Sequence, residues 1–259
     1  MRTVLVTGAG HGLGEAIARL AAARGARVGV LDLDGDAAAA VAADLPGAVA
    51  LQADTTDEAA VEAALDALGE VPDGVVCNAG IVRFGPLRDL SLADWRAVVD
   101  VNLTGTFVTA RAAARRMMVA GAPGAIVSIA SMNGVAPGPN AGAYAATKAG
   151  VMMLTQQMAV EWGGAGIRCN AVAPGMIDAG MSTPLVAVEV FRRRRETNVP
   201  LGRLGTAEDI ANATVWLLGE ESAYVTGQTL LVDGGVTMSI IAHLPRPASV
   251  DSVGASGSD

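Results

Sequence analysis

Residues 4–14 read Val-Leu-Val-Thr-Gly-Ala-Gly-His-Gly-Leu-Gly. A short apolar run typical of a buried strand leads into alternating glycines, and an apolar helical pattern starts at Leu13. Glycines in such a turn let the backbone bend sharply and approach a pyrophosphate, which the N–H groups and dipole of the helix N-terminus stabilise. The stretch therefore predicts a dinucleotide-binding turn. A turn that needs glycine for packing alone is the alternative.

An acidic residue lies where such a turn requires one. Asp32 ends the second apolar run, eighteen positions after Gly14, where a ribose hydroxyl would be held. A carboxylate accepts hydrogen bonds from a diol but repels a 2′-phosphate, and the neighbouring Asp34 and Asp36 supply no cation. Asp32 therefore favours NAD over NADP, with a solvated loop acid as the alternative.

Strand-like and helical patterns alternate along the chain. The strand-like runs are nearly continuous in apolar residues, as in a parallel sheet covered on both faces, and cover residues 3–7, 27–31, 48–52, 74–77, 125–129, 167–173 and 229–232. The helical patterns cover residues 13–24, 36–44, 57–68, 92–118, 143–162 and 207–218. This alternation predicts the α/β class, with a single Rossmann-like doubly wound parallel sheet of about seven strands and helices on both faces.

Two segments depart from this rhythm. Residues 177–199 form a mixed segment just after a strand, and we expect it to be a substrate lid inserted in a dinucleotide-binding and catalytic domain of residues 1–244. Residues 245–259 are rich in small and polar residues and are expected to be a flexible tail.

Composition narrows the classes of function. The net charge of −8 argues against a nucleic-acid partner, whose phosphates would repel the chain. Only two histidines and two cysteines are present, so a metal site or a serine–histidine–aspartate triad has almost no material. Cys77 and Cys169 lie in apolar runs, as buried thiols of a reducing compartment do.

With neither a signal peptide nor an apolar run of transmembrane length, the chain is expected to be cytoplasmic, without a membrane partner.

Tyr144 and Lys148 stand four apart at the head of the helical pattern of residues 143–162. This spacing places a phenol and an ammonium on one helix face, one turn apart. A nearby cation favours the phenolate and lowers the tyrosine pKa. The pair is therefore a candidate general acid/base, and an ordinary amphipathic surface is the alternative.

With the glycine turn and this pair together, the chain resembles the classical short-chain dehydrogenase/reductase family from Thr3 to about Val236. The family's motifs appear in order: Thr7-Gly8-x-x-x-Gly12-x-Gly14, Cys77-Asn78-Ala79-Gly80, Val101-Asn102, Ser131 thirteen residues before Tyr144, Asn170-Ala-Val-Ala-Pro174-Gly175, and Val232-Asp-Gly-Gly235. Two positions depart from the pattern. Cys77 stands where the family has asparagine, and Ala179 stands where it often has a threonine that contacts the carboxamide, with Ser182 or Thr183 as possible substitutes.

The resemblance implies an NAD(H)-dependent oxidoreductase that interconverts a secondary alcohol and a ketone. Tyr144 would be the general acid/base, Lys148 would lower its pKa and hold the ribose, Ser131 would bind the substrate oxygen, and Asn102 would hold a relay water. A mid-helix kink is the alternative for Asn102. The implied NAD contacts are Gly8, Gly10, His11, Gly12, Leu13, Gly14, Asp32, Leu33, Asp54, Thr55, Asn78, Ala79, Gly80, Tyr144, Lys148, Pro174, Gly175 and Ile177.

The substrate side is less defined. We expect a small-molecule alcohol or ketone to contact Ser131, Asn133, Tyr144, Met176 and Met181. The run Arg192–Arg195 either attracts an anionic substrate or is the solvated face of a lid helix. Two other functions stay open. One is a 3-oxoacyl thioester reductase, which the alanines at 122 and 165 disfavour because the family's carrier-protein reductases have arginines there. The other is a catalytically silent NAD sensor. The resemblance also implies a homotetramer.

Overall fold

The computed structural model describes residues 2–180 and 188–239, apart from the Phe191 side chain. Its centre is one sheet of seven parallel strands in the order β3-β2-β1-β4-β5-β6-β7. The strands are β1 (Thr3–Thr7), β2 (Arg27–Asp32), β3 (Val49–Gln52), β4 (Gly74–Cys77), β5 (Gly124–Ile129), β6 (Ile167–Pro174) and β7 (Thr229–Val232). The prediction of about seven parallel strands is confirmed.

Helices cover both faces of this sheet. They are α1 (Gly12–Ala23), α2 (Gly35–Ala43), α3 (Glu58–Leu68), α4 (Leu92–Val99), α5 (Gly105–Ala120), α6 (Tyr144–Trp162), α7 (Glu189–Glu196) and α8 (Ala207–Leu218). Successive residues of β1 show the two layers: Val4 and Val6 pack with α1, α2 and α8, whereas Leu5 packs with α3, α5 and α6. Alternation along each strand thus builds one core on each face.

One predicted helix differs from the structure. The single pattern of residues 92–118 is divided into α4 and α5 by a π-helical turn, Asp100–Thr104, with the buried Asn102 at its centre. Ser91 begins α4 by accepting a hydrogen bond from the backbone N–H of Asp94. At α8, the side chains of Thr206 and Asp209 form a reciprocal capping box with the backbone N–H groups of Asp209 and Thr206.

The two unusual segments are described only in part. Within the expected lid, residues 177–180 and 188–199 are described, and the latter contain α7. The expected tail of residues 245–259 lies outside the described residues. Of the described helices, none has the length and hydropathy to cross a bilayer.

Candidate active site

A cavity of about 1050 Å³ opens beyond the carboxyl ends of the parallel strands. The loops after β1, β2, β4, β5 and β6 all contribute to its lining. This edge is where an open parallel sheet places its ligand, because the loops on both sides of the strand-order reversal leave a crevice there. The cavity therefore brings segments that are far apart in the sequence into one site.

The glycine turn between β1 and α1 forms one wall of the cavity. Gly8 (φ +62°) and Gly12 (φ +59°) adopt the left-handed conformation that favours glycine. A Cβ on Gly14 would overlap the carbonyl oxygen of Gly8, so this position has no room for a side chain. His11 precedes α1 and makes no side-chain capping bond, so the first N–H groups of the helix remain available to an anion.

Asp32 lies beside this turn at the end of β2. Its Oδ2 accepts a hydrogen bond from the N–H of Gly10 (2.8 Å), and its Oδ1 accepts one from the N–H of Asp34 (3.1 Å). These bonds hold the carboxylate at the cavity wall, and each oxygen keeps a lone pair for a hydroxyl donor. Gly10 thus positions the Asp32 carboxylate through its backbone N–H, but Gly10 itself does not line the cavity.

The ends of β1 and β4 are joined by Asn78 and Thr7. Asn78 Nδ2 donates to the carbonyl oxygens of Thr7 (2.9 Å) and Gly8 (3.0 Å). In return, Thr7 Oγ1 accepts from the N–H groups of Asn78 (3.0 Å) and Ala79 (3.1 Å). The Asn78 side chain therefore stabilises the glycine turn. The sequence motif predicted Asn78 only as a cofactor contact and did not predict these hydrogen bonds to the turn.

Tyr144, Ser131 and Lys148 meet at the other end of the cavity. Ser131 follows β5, and its Oγ accepts a hydrogen bond from the N–H of Asn133 (3.2 Å). Tyr144 is the first residue of α6, and Lys148 lies one turn further on. Lys148 Nζ donates to the carbonyl oxygen of Ile129 (2.7 Å) and lies 5.5 Å from the centre of the Tyr144 ring. The two side chains share a helix face, as the spacing predicted.

Burial controls the protonation of this group. Burial lowers the pKa of Lys148 from 10.5 to about 8. Burial also raises the pKa of Tyr144, and a hydrogen bond to Ser131 opposes the rise only in part. The lowered tyrosine pKa expected from the nearby ammonium is therefore wrong for the cofactor-free chain, because desolvation of the phenolate outweighs the favourable interactions.

Asn102 lies behind the cavity wall, fully buried in the π-helical turn. Its Oδ1 accepts from the N–H of Ile81 (2.8 Å), and its Nδ2 donates to the carbonyl of Ile81 (2.9 Å) and to Thr147 Oγ1 (3.2 Å). Both amide hydrogens are used, so Asn102 fixes the loop after β4 against α6. Thr147 is a partner that sequence reasoning missed, because nothing in the sequence pairs residues 102 and 147. The relay water stays a prediction.

Most of the predicted site residues line the cavity. They are Gly8, His11, Gly12, Leu13, Asp32, Leu33, Asp54, Thr55, Asn78, Ala79, Gly80, Ser131, Asn133, Tyr144, Lys148, Pro174, Gly175, Met176 and Ile177. Three others, Gly10, Gly14 and Asn102, support it from behind. Met181, Ser182 and Thr183 lie outside the described residues.

Arg195 also lines the cavity, whereas Arg193 and Arg194 of the same run are exposed.

The two cysteines lie in the core, as their apolar runs predicted. Cys77 and Cys169 are buried free thiols, and burial raises the pKa of each to about 12. No group of side chains able to hold a metal ion occurs among residues 2–180 and 188–239.

The residues present fit a dinucleotide. The turn offers unpaired helix N–H groups to a diphosphate and has no room for a side chain at Gly14. Asp32 offers acceptors to a ribose at one end of the cavity, and Lys148 offers a buried ammonium at the other end.

Comparison with known proteins places the chain in a family. A family model described as enoyl-(acyl carrier protein) reductase matches residues 8–237. The chain is 39% identical over 245 residues to 3beta-hydroxysteroid dehydrogenase 1 of Eggerthella lenta, covering 92% of this chain and 94% of that protein. It is 42% identical over 245 residues to the cis-4-hydroxycyclohexanecarboxylate dehydrogenase of Sinomonas cyclohexanicum, covering 91% and 96%.

Solved structures share the fold closely. A gluconate 5-dehydrogenase from Burkholderia cenocepacia in complex with NADP and tartrate superposes with a TM-score of 0.86 at 36% identity, covering 92% of this chain and 96% of that one. A 3-oxoacyl-[acyl-carrier protein] reductase with bound NAD from Brucella melitensis superposes with a TM-score of 0.84 at 38% identity, covering 92% and 91%. The chain belongs to the classical short-chain dehydrogenase/reductase family. It is accordingly an oxidoreductase of the class that acts on CH–OH groups with a nicotinamide cofactor.

Proposed function

We propose that the protein is an NAD(H)-dependent oxidoreductase that interconverts a secondary alcohol and a ketone, with Tyr144 as the general acid/base. One observation carries the proposal: Ser131, Tyr144 and Lys148 line the same cavity as the glycine turn and Asp32. A single site thus offers a ribose acceptor, a diphosphate turn and a proton-transfer group. The hydroxylated compounds named in the dehydrogenase relatives support the substrate class.

The protein's own part in the reaction is the movement of a proton. When bound, NAD⁺ supplies the carbon that accepts the hydride, so the side chains have only the hydroxyl proton to handle. The Tyr144 hydroxyl, once ionised, accepts that proton during alcohol oxidation and returns it during ketone reduction. Ser131 Oγ donates a hydrogen bond to the substrate oxygen and stabilises the charge that develops there.

Lys148 holds positive charge close to this proton-transfer group. With a pKa of about 8, its ammonium is mostly protonated at neutral pH. Burial raises the pKa of Tyr144 in the cofactor-free chain, and a positive charge beside the phenol would lower it. We propose that Tyr144 ionises more readily with the oxidised nicotinamide bound than without it.

The choice of NAD over NADP rests on Asp32. Its carboxylate is held at the cavity wall by the N–H groups of Gly10 and Asp34, and the nearby acids are Asp34 and Asp36. A 2′-phosphate there would meet negative charge, and residues 33–36, Leu-Asp-Gly-Asp, supply no arginine or lysine to pair with it. The solved relatives bind NAD or NADP, so they leave this choice to be measured.

Substitution of Tyr144 by Phe tests the assignment. Tyr144→Phe removes one oxygen atom, and we expect kcat on any accepted alcohol to fall by at least ~100-fold, because a general acid/base contributes on the order of 10²–10⁴. NAD should still bind, as measured by quenching of protein fluorescence. Tyr224, which is fully exposed, provides the matched control, and Tyr224→Phe should retain wild-type turnover. Normal turnover in Tyr144→Phe would refute the mechanism.

A 3-oxoacyl thioester reductase is the second candidate, favoured by the close fit to the Brucella melitensis reductase. Ala122 and Ala165 offer no cation to an acidic carrier protein, which weighs against it. The kcat/KM for a 3-oxoacyl thioester, compared with that for a simple ketone, separates the two. Binding of NAD without turnover on any alcohol, ketone or thioester would instead indicate a silent sensor.

A further inference from the structure

The four consecutive arginines of α7 do not share one role. Arg192 forms ion pairs with Asp178 and with Glu196, the latter at 3.3 Å, and Arg193 pairs with Glu189 at 2.6 Å. Arg194 and Arg195 form no ion pair and no side-chain hydrogen bond within residues 2–180 and 188–239. Carboxylates of residues 178–196 therefore neutralise the guanidinium groups of Arg192 and Arg193. The guanidinium groups of Arg194 and Arg195 have no carboxylate partner among the described residues.

Helix geometry separates the two available arginines. Residues three apart lie on one helix face, so Arg195 lies on the same face of α7 as Arg192. The pair between Arg192 and Asp178 fastens that face to the segment after β6, where Ile177 and Ala179 line the cavity. Arg195 is accordingly half-buried and lines the same cavity, whereas Arg194 is exposed.

The charges of the cavity are unevenly distributed. Among its described lining residues, the two carboxylates are Asp32, the last residue of β2, and Asp54, in the loop after β3. The described lining after β4 and β5 contains no carboxylate and includes apolar side chains such as Phe84 and Met132. Within the described lining, Asp32 and Asp54 are the only carboxylates, and neither forms an ion pair with Arg195.

A partly desolvated guanidinium favours an anionic partner, and a carboxylate matches its planar donors with two parallel hydrogen bonds. We propose that Arg195 binds the carboxylate of a hydroxy-acid substrate whose carbinol carbon lies near Tyr144. This inference rests on the proposed oxidoreductase function and specifies its substrate class. Arg195 is in this assignment a substrate-binding residue, and the lid helix contributes directly to specificity.

The test compares hydroxycarboxylic acids with their methyl esters, which keep the carbon skeleton and lose the charge. Wild-type protein should show a higher kcat/KM for the acids. In Arg195→Gln, the ratio of kcat/KM for acid to that for ester should fall by ~10- to 100-fold, the effect of losing a hydrogen bond to a charged group. Arg194→Gln removes the neighbouring exposed charge from the same helix and should leave the ratio unchanged. Arg195→Lys should restore part of it.

Calorimetric titration of the NAD-saturated protein with the corresponding keto acids gives a readout that does not depend on turnover. We expect these acids to bind wild type at least ~10-fold more tightly than Arg195→Gln.

Equal affinity for both proteins, or a wild type with no preference for acids over esters, would overturn the inference while leaving alcohol oxidation intact. A loss of NAD affinity with an unchanged acid-to-ester ratio would also overturn it, because Arg195 would then serve the cofactor diphosphate. If no alcohol is oxidised but the keto acids still need Arg195 for binding, the proposed reaction fails and the anion site stands.

Discussion

Lys148 should titrate far below an ordinary lysine. It is only 3% exposed, and burial lowers its pKa from 10.5 to about 8. A difference of about 2.5 between the folded and unfolded pKa values corresponds to ~3 kcal/mol, by which the buried ammonium destabilises the cofactor-free fold at neutral pH. Because the unfolded chain keeps this proton up to about 10.5, the destabilisation is relieved as the pH rises from about 8 toward 10.5.

Other groups would mask this effect in the wild type alone. Burial raises the pKa of Cys77 and of Cys169 from 9.0 to about 12, so the unfolded thiols ionise before the folded ones. Their contribution therefore lowers stability above about pH 9, opposite in sign to that of Lys148. Lys148→Met keeps both cysteines, and the hydrogen bond lost at Ile129 adds an offset that is nearly independent of pH. We expect the wild type to gain ~2 kcal/mol relative to the variant between about pH 7 and about pH 9.5.

The sequence makes a direct measurement simple, because Lys148 is the only lysine in the chain. Growth with lysine labelled at Cε gives a single resonance, whose shift through a pH titration reports the pKa without assignment. Urea unfolding of the wild type and Lys148→Met at several pH values then measures the free-energy difference. A titration midpoint near 10.5, or a free-energy difference that stays flat with pH, would refute the reasoning from burial.

Three further variants test other parts of the site. Asn102→Ala should lower the free energy of unfolding by ~2–4 kcal/mol, because the fully buried Asn102 side chain makes three hydrogen bonds that are lost. In urea titrations, the control Asn212→Ala, at an exposed position, should stay within ~0.5 kcal/mol of wild type. Gly14→Ala should weaken NAD binding, measured by calorimetry, and destabilise the fold by ~1–3 kcal/mol, because the added Cβ overlaps the carbonyl oxygen of Gly8. Gly163→Ala is the control, because a Cβ at Gly163 meets nothing within 4 Å. Asp32→Asn keeps an acceptor but loses the charge, so the ratio of kcat/KM for NAD to that for NADP should fall at least ~10-fold in initial-rate assays; an unchanged ratio would contradict the role given to Asp32.

Local sequence patterns predicted most of the secondary structure, although α7 was not among the predicted helical patterns. The predicted strands and helices end within one residue of those in the structure, apart from the long pattern of residues 92–118. These patterns are reliable because β-branched apolar runs, glycine turns and helical periodicity act over a few neighbouring residues. The π-helical turn at Asn102 was missed as a distinct element because its position depends on hydrogen bonds to Ile81 and Thr147, which lie far away in the chain.

The sequence by itself determined the parallel sheet, which follows from the alternation of strand and helix patterns along the chain. It also determined the glycine turn with Asp32 and the face shared by Tyr144 and Lys148, since these follow from spacing within one or two adjacent elements. Only the tertiary structure decided that the pKa of Tyr144 is raised, and that Arg195 is the arginine of its run that lines the cavity. Both depend on how much water and charge surround a side chain. Those surroundings are assembled from loops that meet only when the sheet is complete, so no local pattern encodes them.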